Sequence, residues 1–358
     1  MADKKTTRAG SDAEAAVPAA PVLRAERKPT LRTIADISGL AVPTVSRALN
    51  DAPDIGAATK ELVRRIADEI GYIPNRAGVR LRTGRTNVIA LVLSTEQEIM
   101  NHTARLITSI SATLQGSPFH LIVSPYVGEK DLMKPIRYLV ETRSADALIF
   151  NMIEPEDARV AYLMERGFPF ATHGRTKWAD RHAYWDFDND AFARIAVARL
   201  AERGRRHMLL IAPPLHQNYA QLMVAGARAE AEARGCTLRV AAPVTSDSES
   251  APIRSHVSEA LARAPEIDGI VCGSPTAAMA AVAALEARGR VMAGDIDVVA
   301  KEAIPFLALF RDTMLVIDED VRAAGEFLAR AAMKAVREPG APPMQGLEIP
   351  TGESFTSA

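Results

Sequence analysis

The chain has 358 residues, which predicts two or three domains, and its formal net charge of −1 argues for no particular partner. The 48% hydrophobic content is typical of a globular protein, and no apolar run reaches the roughly 18 residues of a membrane span. Two cysteines, Cys236 and Cys272, and seven histidines without metal-ligand spacing predict no disulfide framework, no metal site and no cofactor.

The first 27 residues are rich in Ala, Lys, Thr and Pro, and they predict a disordered extension. They lack the apolar segment of a secretory signal, so we expect a cytoplasmic protein. Folded structure is expected to begin at residue 28.

Residues 28–73 carry the pattern of a three-helix domain. The first helix is predicted over 31–38, with Thr30 as its N-cap, and the second over 42–49. Because helices this short are unstable alone, the apolar positions spaced along residues 57–70 are expected to close a core. Two helices joined by a short turn containing glycine can place the second helix in the major groove of DNA.

The charge of the chain is unevenly distributed. Residues 24–86 hold 12 Lys and Arg against seven Asp and Glu, a local charge of +5 that leaves −6 for the remainder. A basic cluster alone is usually a solvated face. Here it coincides with the helix-turn-helix pattern, and the two together favour binding to double-stranded DNA.

Three segments resemble the lactose repressor (LacI/GalR) family of bacterial transcription regulators. They are Thr-Val-Ser-Arg-Ala-Leu-Asn at 44–50, Gly-Tyr-Ile-Pro-Asn-Arg at 71–76, and Leu81 ahead of Thr86. The resemblance implies a helix-turn-helix domain at 28–73, a hinge at 74–86 and a two-lobed domain at 87–358 for effector binding and dimerisation.

The second helix is expected to present its N-terminal residues to base edges. Arg47 can form a bidentate contact with guanine, whereas Val42 and Pro43 stand where family members select the operator and suit a thymine methyl group. Val45, Ala48 and Leu49 are predicted to face the core. The full set of predicted DNA-binding residues is Thr33, Val42, Pro43, Thr44, Ser46, Arg47, Asn50, Asn75, Arg76, Arg80, Leu81 and Arg82.

The segment 76–85 contains four arginines and no acidic residue. By the family resemblance it folds on DNA, pairs with its counterpart in a second subunit, and inserts Leu81 into the minor groove, where an apolar wedge kinks the duplex. The alternative is a plain basic linker, because Gly78 and Gly84 weaken a helix this short.

After Thr86, short apolar strands alternate with longer helices, a pattern that predicts parallel sheets covered by helices on both faces. Strands are predicted at 88–93, 119–124, 147–150, 170–172, 208–211, 238–242, 269–272, 296–299, 314–317 and 347–349. Helices are predicted at 102–115, 131–142, 157–166, 189–203, 218–234, 253–263, 276–288 and 319–337. Two such runs, divided near residue 187, predict two doubly wound lobes with a ligand cleft between the carboxyl ends of their strands.

This part resembles the effector domain of the same family and the periplasmic binding proteins, with Asp188-Asn189 matching the entry to the second lobe. The resemblance implies further crossings between the lobes near residues 317 and 340. Met223 stands where family members commonly place a ligand-binding arginine, and Ser274-Pro275 replaces the usual Asn-Asp pair. The remaining effector candidates are Ser94, His173, Arg175, Tyr219, Gln221 and Ser274.

No enzyme is predicted. No Gly-x-Gly-x-x-Gly follows a predicted strand, and the P-loop and the Gly-x-Ser-x-Gly elbow are both missing from the sequence. Acid pairs such as Asp186 with Asp188 are interpreted as loop or helix N-terminal carboxylates.

The sequence therefore predicts an α and α/β regulator that binds a pseudo-palindromic operator as a homodimer, most simply as a repressor. A small metabolite, with a sugar or polyol favoured, would modulate its affinity for DNA. The alternative is a regulator of the same architecture whose cleft does not respond to a ligand and which acts constitutively or through a protein partner. A solute-binding receptor fits less well, because the chain carries a DNA-binding pattern and lacks an export signal.

Overall fold

A computed structural model describes residues 28–73, 78, 80, 84–94, 100–126, 131–303, 305–352 and 355–356. The chain divides into two compact units between Gly84 and Arg85. The extension predicted over residues 1–27 lies outside the described residues. None of the described helices combines the length and apolar character that a bilayer span requires.

The first unit contains the three predicted helices, α1 (Leu31–Ser38), α2 (Val42–Leu49) and α3 (Ala57–Glu69). Thr30 caps α1, because its hydroxyl accepts the Thr33 N–H while the Thr33 hydroxyl accepts the Thr30 N–H. Gly39 ends α1 with φ of 70°, a backbone conformation that glycine adopts without strain. No side chain caps α2 at Ala41.

The core of the first unit fixes the orientation of α2. Val45 and Ala48 are fully buried against Ile34 of α1 and Val63 of α3, and Leu49 packs partly buried beside them. The predicted burial of this face of α2 is confirmed. The opposite face is consequently left at the surface.

Two described residues of the segment predicted as a hinge, Gly78 and Arg80, are helical. The Gly84 N–H donates to the Arg80 carbonyl at 2.8 Å, the spacing of an α-helical turn.

The second unit contains two six-stranded sheets. The strands are β1 (Val88–Ser94), β2 (His120–Tyr126), β3 (Ala147–Phe150), β4 (Phe170–His173), β5 (Ala183–Phe187), β6 (His207–Ile211), β7 (Thr237–Val240), β8 (Gly269–Cys272), β9 (Asp297–Glu302), β10 (Leu315–Asp318), β11 (Gln345–Glu348) and β12 (Phe355–Thr356). The first sheet has the order β11-β5-β4-β3-β1-β2 and the second the order β12-β10-β9-β8-β6-β7. Every pairing is parallel except that of β12 with β10.

Helices cover both faces of each sheet, which gives each lobe two layers of core. They are α4 (Met100–Leu114), α5 (Met133–Glu141), α6 (Ala158–Glu165), α7 (Asn189–Glu202), α8 (Asn218–Ala233), α9 (Ser250–Arg263), α10 (Pro275–Ala287), α11 (Leu307–Phe310) and α12 (Val321–Arg337). At Gly226 the helix α8 approaches α7 so closely that a Cβ would stand 2.5 Å from the Asp190 carbonyl oxygen. Only glycine fits this contact.

The doubly wound architecture agrees with the prediction, apart from some short elements and one crossing between the lobes. Strands β5 and β12 and the one-turn helix α11 were not predicted. The chain crosses between the lobes after Phe187 and after Asp318, close to the predicted positions near residues 187 and 317. The third crossing was predicted near residue 340, which is wrong, because β11 still pairs with β5 of the first lobe and the chain returns only after Glu348.

Candidate DNA-binding surface and effector cleft

The exposed face of α2 carries most of the residues predicted to bind DNA. Val42, Pro43, Arg47 and Asn50 are exposed, and Thr44 and Ser46 are half-buried. Thr33 lies on α1, where its hydroxyl takes part in the helix cap. The polar groups that suit DNA therefore lie on the face opposite the buried Val45 and Ala48.

Within this surface, Arg47 forms an ion pair with Asp54, and both side chains are about half exposed. The Asn50 side-chain amide donates to the Ser46 carbonyl. An exposed ion pair contributes little to stability, so Arg47 can leave Asp54 for an acceptor on DNA with little loss of free energy. Arg47 is thus available to a guanine edge.

Of the hinge residues that are predicted to bind DNA, Arg80 is the one that the structure describes. The predicted contacts Asn75, Arg76, Leu81 and Arg82 lie outside the described residues.

A cavity of about 670 Å³ lies between the two lobes, at the carboxyl ends of the strands. Its lining in the first lobe comprises His102, Asn151, Met152, His173, Gly174, Asp186 and Phe187. The second lobe and its crossovers contribute Asn189, Pro213, Tyr219, residues 246–250, residues 273–276, Met279, residues 301–303, Phe306 and Glu319. This volume is typical of cavities that bind a small organic molecule.

Three of the six predicted effector residues, His173, Tyr219 and Ser274, line this cavity. Ser274 also caps α10, because its hydroxyl accepts the Ala277 N–H. Ser94 is the last residue of β1, and its side chain lies outside the described part of the chain.

Arg175 and Gln221 are placed differently from the expectation. Arg175 is absent from the cavity lining, and its Nε lies 3.0 Å from Asp186 Oδ2 in an ion pair. Gln221 is exposed outside the cavity, where its amide donates to the Leu215 carbonyl at 3.0 Å. Both side chains are engaged outside the cavity, Arg175 by the Asp186 carboxylate and Gln221 by the Leu215 carbonyl.

Met223 lies in the core of the second lobe with no exposed surface. The position that matches the family's arginine therefore adds neither charge nor a polar group to the cavity.

The cavity is rich in carboxylates. Burial raises the pKa of Asp186 to about 6, although the Arg175 charge opposes this shift. Burial also raises the pKa of Asp247 and of Glu302, whose Oε2 accepts the N–H groups of Phe306 and Leu307. Among the described lining residues, Lys301 is the one Lys or Arg.

Glu319 is the centre of a charged cluster in the cavity wall. Lys301 Nζ lies 2.8 Å from its Oε2, and the Nε2 atoms of His102 and His173 lie 3.6 and 3.4 Å from its Oε1. The two imidazole rings stack with centroids 5.1 Å apart. Burial alone would raise the pKa of Glu319, but the Lys301 charge and the two histidines hold that pKa well below its usual value.

Asn218, at the start of α8, joins the two lobes. Its backbone N–H donates to the Ile153 carbonyl at 2.8 Å, and its side-chain amide donates to the Arg175 carbonyl at 2.7 Å. The lobes are therefore in direct contact beside the cavity.

Sequence reasoning did not identify the cavity residues Asn151, Asp186, Asp247, Lys301, Glu302, Phe306 and Glu319 as candidates. Several of them directly follow or end strands that the sequence does predict, as Asn151 follows β3 and Glu319 follows β10. Because the carboxyl ends of parallel strands meet at one edge, polar residues at each strand end were the available signal.

Comparison with known families agrees with this architecture. Residues 138–339 match the periplasmic binding protein domain family, which covers more than half of the chain. Residues 30–75 match the family of bacterial regulatory proteins named after lacI. The second match covers the three helices of the first unit.

Two similar curated proteins are HTH-type transcriptional regulators. CelR of Thermobifida fusca is 28% identical over 317 residues, which is 85% of this chain and 91% of CelR. AglR of Rhizobium meliloti (strain 1021) is 28% identical over 324 residues, 88% of this chain and 90% of AglR. Both similarities extend through the DNA-binding and the two-lobed units.

Among solved structures, the CelR–cellobiose complex is similar with a TM-score of 0.66 and 24% identity, covering 90% of this chain and 98% of that one. The Lac repressor dimer bound to operator and the anti-inducer ONPF is similar with a TM-score of 0.77 and 19% identity, covering 93% and 100%. The chain therefore belongs to the periplasmic binding protein domain family, carries a DNA-binding domain of the lacI type ahead of that domain, and is a DNA-binding transcription regulator.

Proposed function

We propose that the protein is a sequence-specific repressor that binds a pseudo-palindromic operator as a homodimer and releases or tightens it in response to a small metabolite. The observation that carries this proposal is the exposed face of α2, where Arg47 stands beside the apolar Val42 and Pro43. Two copies related by a two-fold axis would place this face on two half-sites of the duplex.

Each group on the α2 face suits a different part of DNA. Arg47 donates to guanine O6 and N7, and Val42 and Pro43 contact thymine methyl groups. Thr33, Thr44, Ser46 and Asn50 contact phosphates and fix the register. Asn75, Arg76, Arg80 and Arg82 of the hinge add phosphate contacts, and Leu81 is the minor-groove wedge.

The cleft charges favour a neutral, hydroxyl-rich effector. Asp247 and Glu302 make no ion pair among the described residues, and Lys301 is already paired with Glu319. Carboxylates accept hydrogen bonds from hydroxyl groups and repel anions, so phosphorylated or acidic metabolites are disfavoured. The CelR–cellobiose complex shows that a protein similar to this chain binds a sugar, which supports the same class of ligand here.

The apolar parts of the cleft suit the same class of ligand. Phe187, Phe306 and Met279 line the cavity opposite and beside the polar groups. A sugar ring offers C–H faces to such surfaces and hydroxyls at its edge, which matches an apolar pocket with a few placed polar groups. We infer that His173, Tyr219, Ser274 and Asp247 hold the hydroxyls.

An effector would act by favouring one arrangement of the two lobes over another, because a ligand shifts an equilibrium only by its differential affinity for the two states. Two interactions would differ between the two arrangements of the lobes. They are the contacts that Asn218 makes between the lobes and the ion pair of Lys301 with Glu319 at the crossover.

Operator binding is tested by titrating the full-length protein into labelled duplexes that contain palindromes from around its own gene. We expect one palindrome to bind at least about 10³-fold more tightly than a scrambled duplex of the same composition. The observed association constant should fall by about 10³-fold or more between 50 and 200 mM salt if six or more phosphates are contacted. Equal affinity for palindrome and scrambled duplex would contradict the proposal.

A further inference from the structure

Three ligand-type side chains converge in the cavity wall from three separate elements. His102 comes from α4, His173 from the end of β4, and Glu319 from the crossover between β10 and α12. One ligand atom of each lies within 4.8 Å of the other two. His173 is about nine-tenths buried, and Glu319 is more deeply buried still.

The distances from the two imidazole nitrogens to Glu319 Oε1 are longer than those of ordinary hydrogen bonds. The Nε2 atoms of His102 and His173 lie 3.6 and 3.4 Å from Glu319 Oε1, whereas an N–H···O bond spans about 2.7–3.2 Å. The His102 Nδ1 atom is buried without a hydrogen-bond partner among the described residues. Both imidazoles stabilise the Glu319 charge from these distances, but short hydrogen bonds do not account for why they point at one carboxylate oxygen.

A bound cation does account for it. Zinc binds histidine nitrogen and carboxylate oxygen at about 2.0–2.2 Å, so two ligands of a tetrahedral ion stand about 3.3 Å apart. The observed separations of 3.4 and 3.6 Å between the nitrogens and Oε1 are close to that value. The ligand atoms of the two histidines lie within 4.8 Å of each other, and binding would bring the side chains inward onto the cation.

We propose that His102, His173 and Glu319 bind a divalent transition-metal cation of the zinc class. Two imidazoles and one carboxylate favour zinc, cobalt or nickel over magnesium or calcium, which prefer ligand sets made of oxygen alone. Three protein ligands leave at least one coordination position that faces the cavity, where water or a hydroxyl of a bound molecule can enter.

Lys301 limits the strength of this site. Its ammonium lies 2.8 Å from Glu319 Oε2, whereas the imidazole contacts are with Oε1, which is left for the cation. A positive charge this close to a bound cation opposes binding through Coulomb repulsion. The site is therefore expected to bind zinc more weakly than it would without the lysine.

The cation would join the first lobe to the crossover that leads out of the second lobe. His102 and His173 belong to the first lobe, and Glu319 lies in the crossover between β10 and α12. The inference concerns binding of a cation alone. Its test needs neither operator nor effector, and His173 is the one residue that it shares with the set proposed to hold effector hydroxyls.

The test uses untagged full-length protein freed of metal with a chelator. Zn²⁺ is titrated in competition with a chromophoric chelator, and Co²⁺ binding is followed by visible absorption. We expect one Zn²⁺ per chain for the parent and for the control His120→Ala, which removes an exposed histidine of the same lobe. His173→Ala should weaken zinc binding by at least about tenfold, since even groups behind metal ligands contribute that much.

Lys301→Met provides a second variant with the opposite expected sign. Removing the ammonium should tighten zinc binding by about tenfold or more. A parent that binds no zinc at micromolar concentration would overturn the proposal, as would a His173→Ala variant that binds zinc as tightly as His120→Ala. Unchanged zinc binding by folded Lys301→Met would overturn it as well, because a cation bound to Glu319 must respond to the loss of an ammonium 2.8 Å from that carboxylate.

Discussion

Replacing Arg47 with alanine is expected to weaken operator binding by about tenfold to one hundredfold and to remove the preference for one base pair in each half-site. Arg47 lies on the exposed face of α2, and its one ion pair within the described part of the chain is the exposed pair with Asp54. A bidentate arginine–guanine contact contributes about 1–3 kcal/mol of discrimination against the wrong base. The measurement is the affinity of parent and variant for duplexes that carry all four base pairs at each position.

Arg65→Ala is the matched control for that experiment. Arg65 is an exposed arginine of α3 in the same unit, and its substitution also removes one positive charge. It should weaken binding to all duplexes equally or not at all. If Arg47→Ala retains every base preference of the parent, then Arg47 contacts the DNA backbone and base recognition lies elsewhere on α2.

Asp247→Asn is expected to abolish most of the response to the effector while operator binding without effector is unchanged. Asp247 is half-buried in the cleft, where the Ser246 hydroxyl donates to it at 3.2 Å, and it makes no ion pair among the described residues. A hydrogen bond to a charged group contributes about 1.5–3 kcal/mol, so effector affinity should fall by about tenfold to one hundredfold.

Calorimetry or thermal stabilisation with a library of neutral sugars and polyols first identifies the effector, because a ligand that binds the folded state raises its stability. Asp312→Asn then serves as the control, since it makes the same chemical change at an exposed position of the second lobe outside the cavity. Equal effector affinity for the parent and Asp247→Asn would remove Asp247 from the binding site.

Much of the fold follows from local patterns in the sequence. Strand β3 (Ala147–Phe150) is buried on both faces, and its uninterrupted apolar run predicted it with the same limits. The inward face of α2 was predictable for the same reason, because Val45 and Ala48 must close a small core with α1 and α3. Burial leaves a periodic signal that a single sequence displays.

Strand β5 (Ala183–Phe187) shows why other parts were missed. Asp186 interrupts its apolar pattern, and the Arg175 charge that accompanies this buried carboxylate comes from the loop after β4. The same ion pair holds Arg175 outside the cavity lining in which the sequence had placed it. The cleft also brings together residues more than 200 positions apart, as His102 of α4 and Glu319 after β10 are, and no local pattern indicates which of these residues meet.

Coupling between the cleft and the DNA-binding unit is tested most directly by measuring operator affinity with and without a saturating effector on the intact protein. A coupling free energy of about 1–3 kcal/mol predicts that the operator dissociation constant changes by about 5- to 150-fold. By reciprocity, saturating operator should change the effector dissociation constant by the same factor. An effector that binds the cleft while both dissociation constants stay unchanged would contradict a metabolite-controlled regulator.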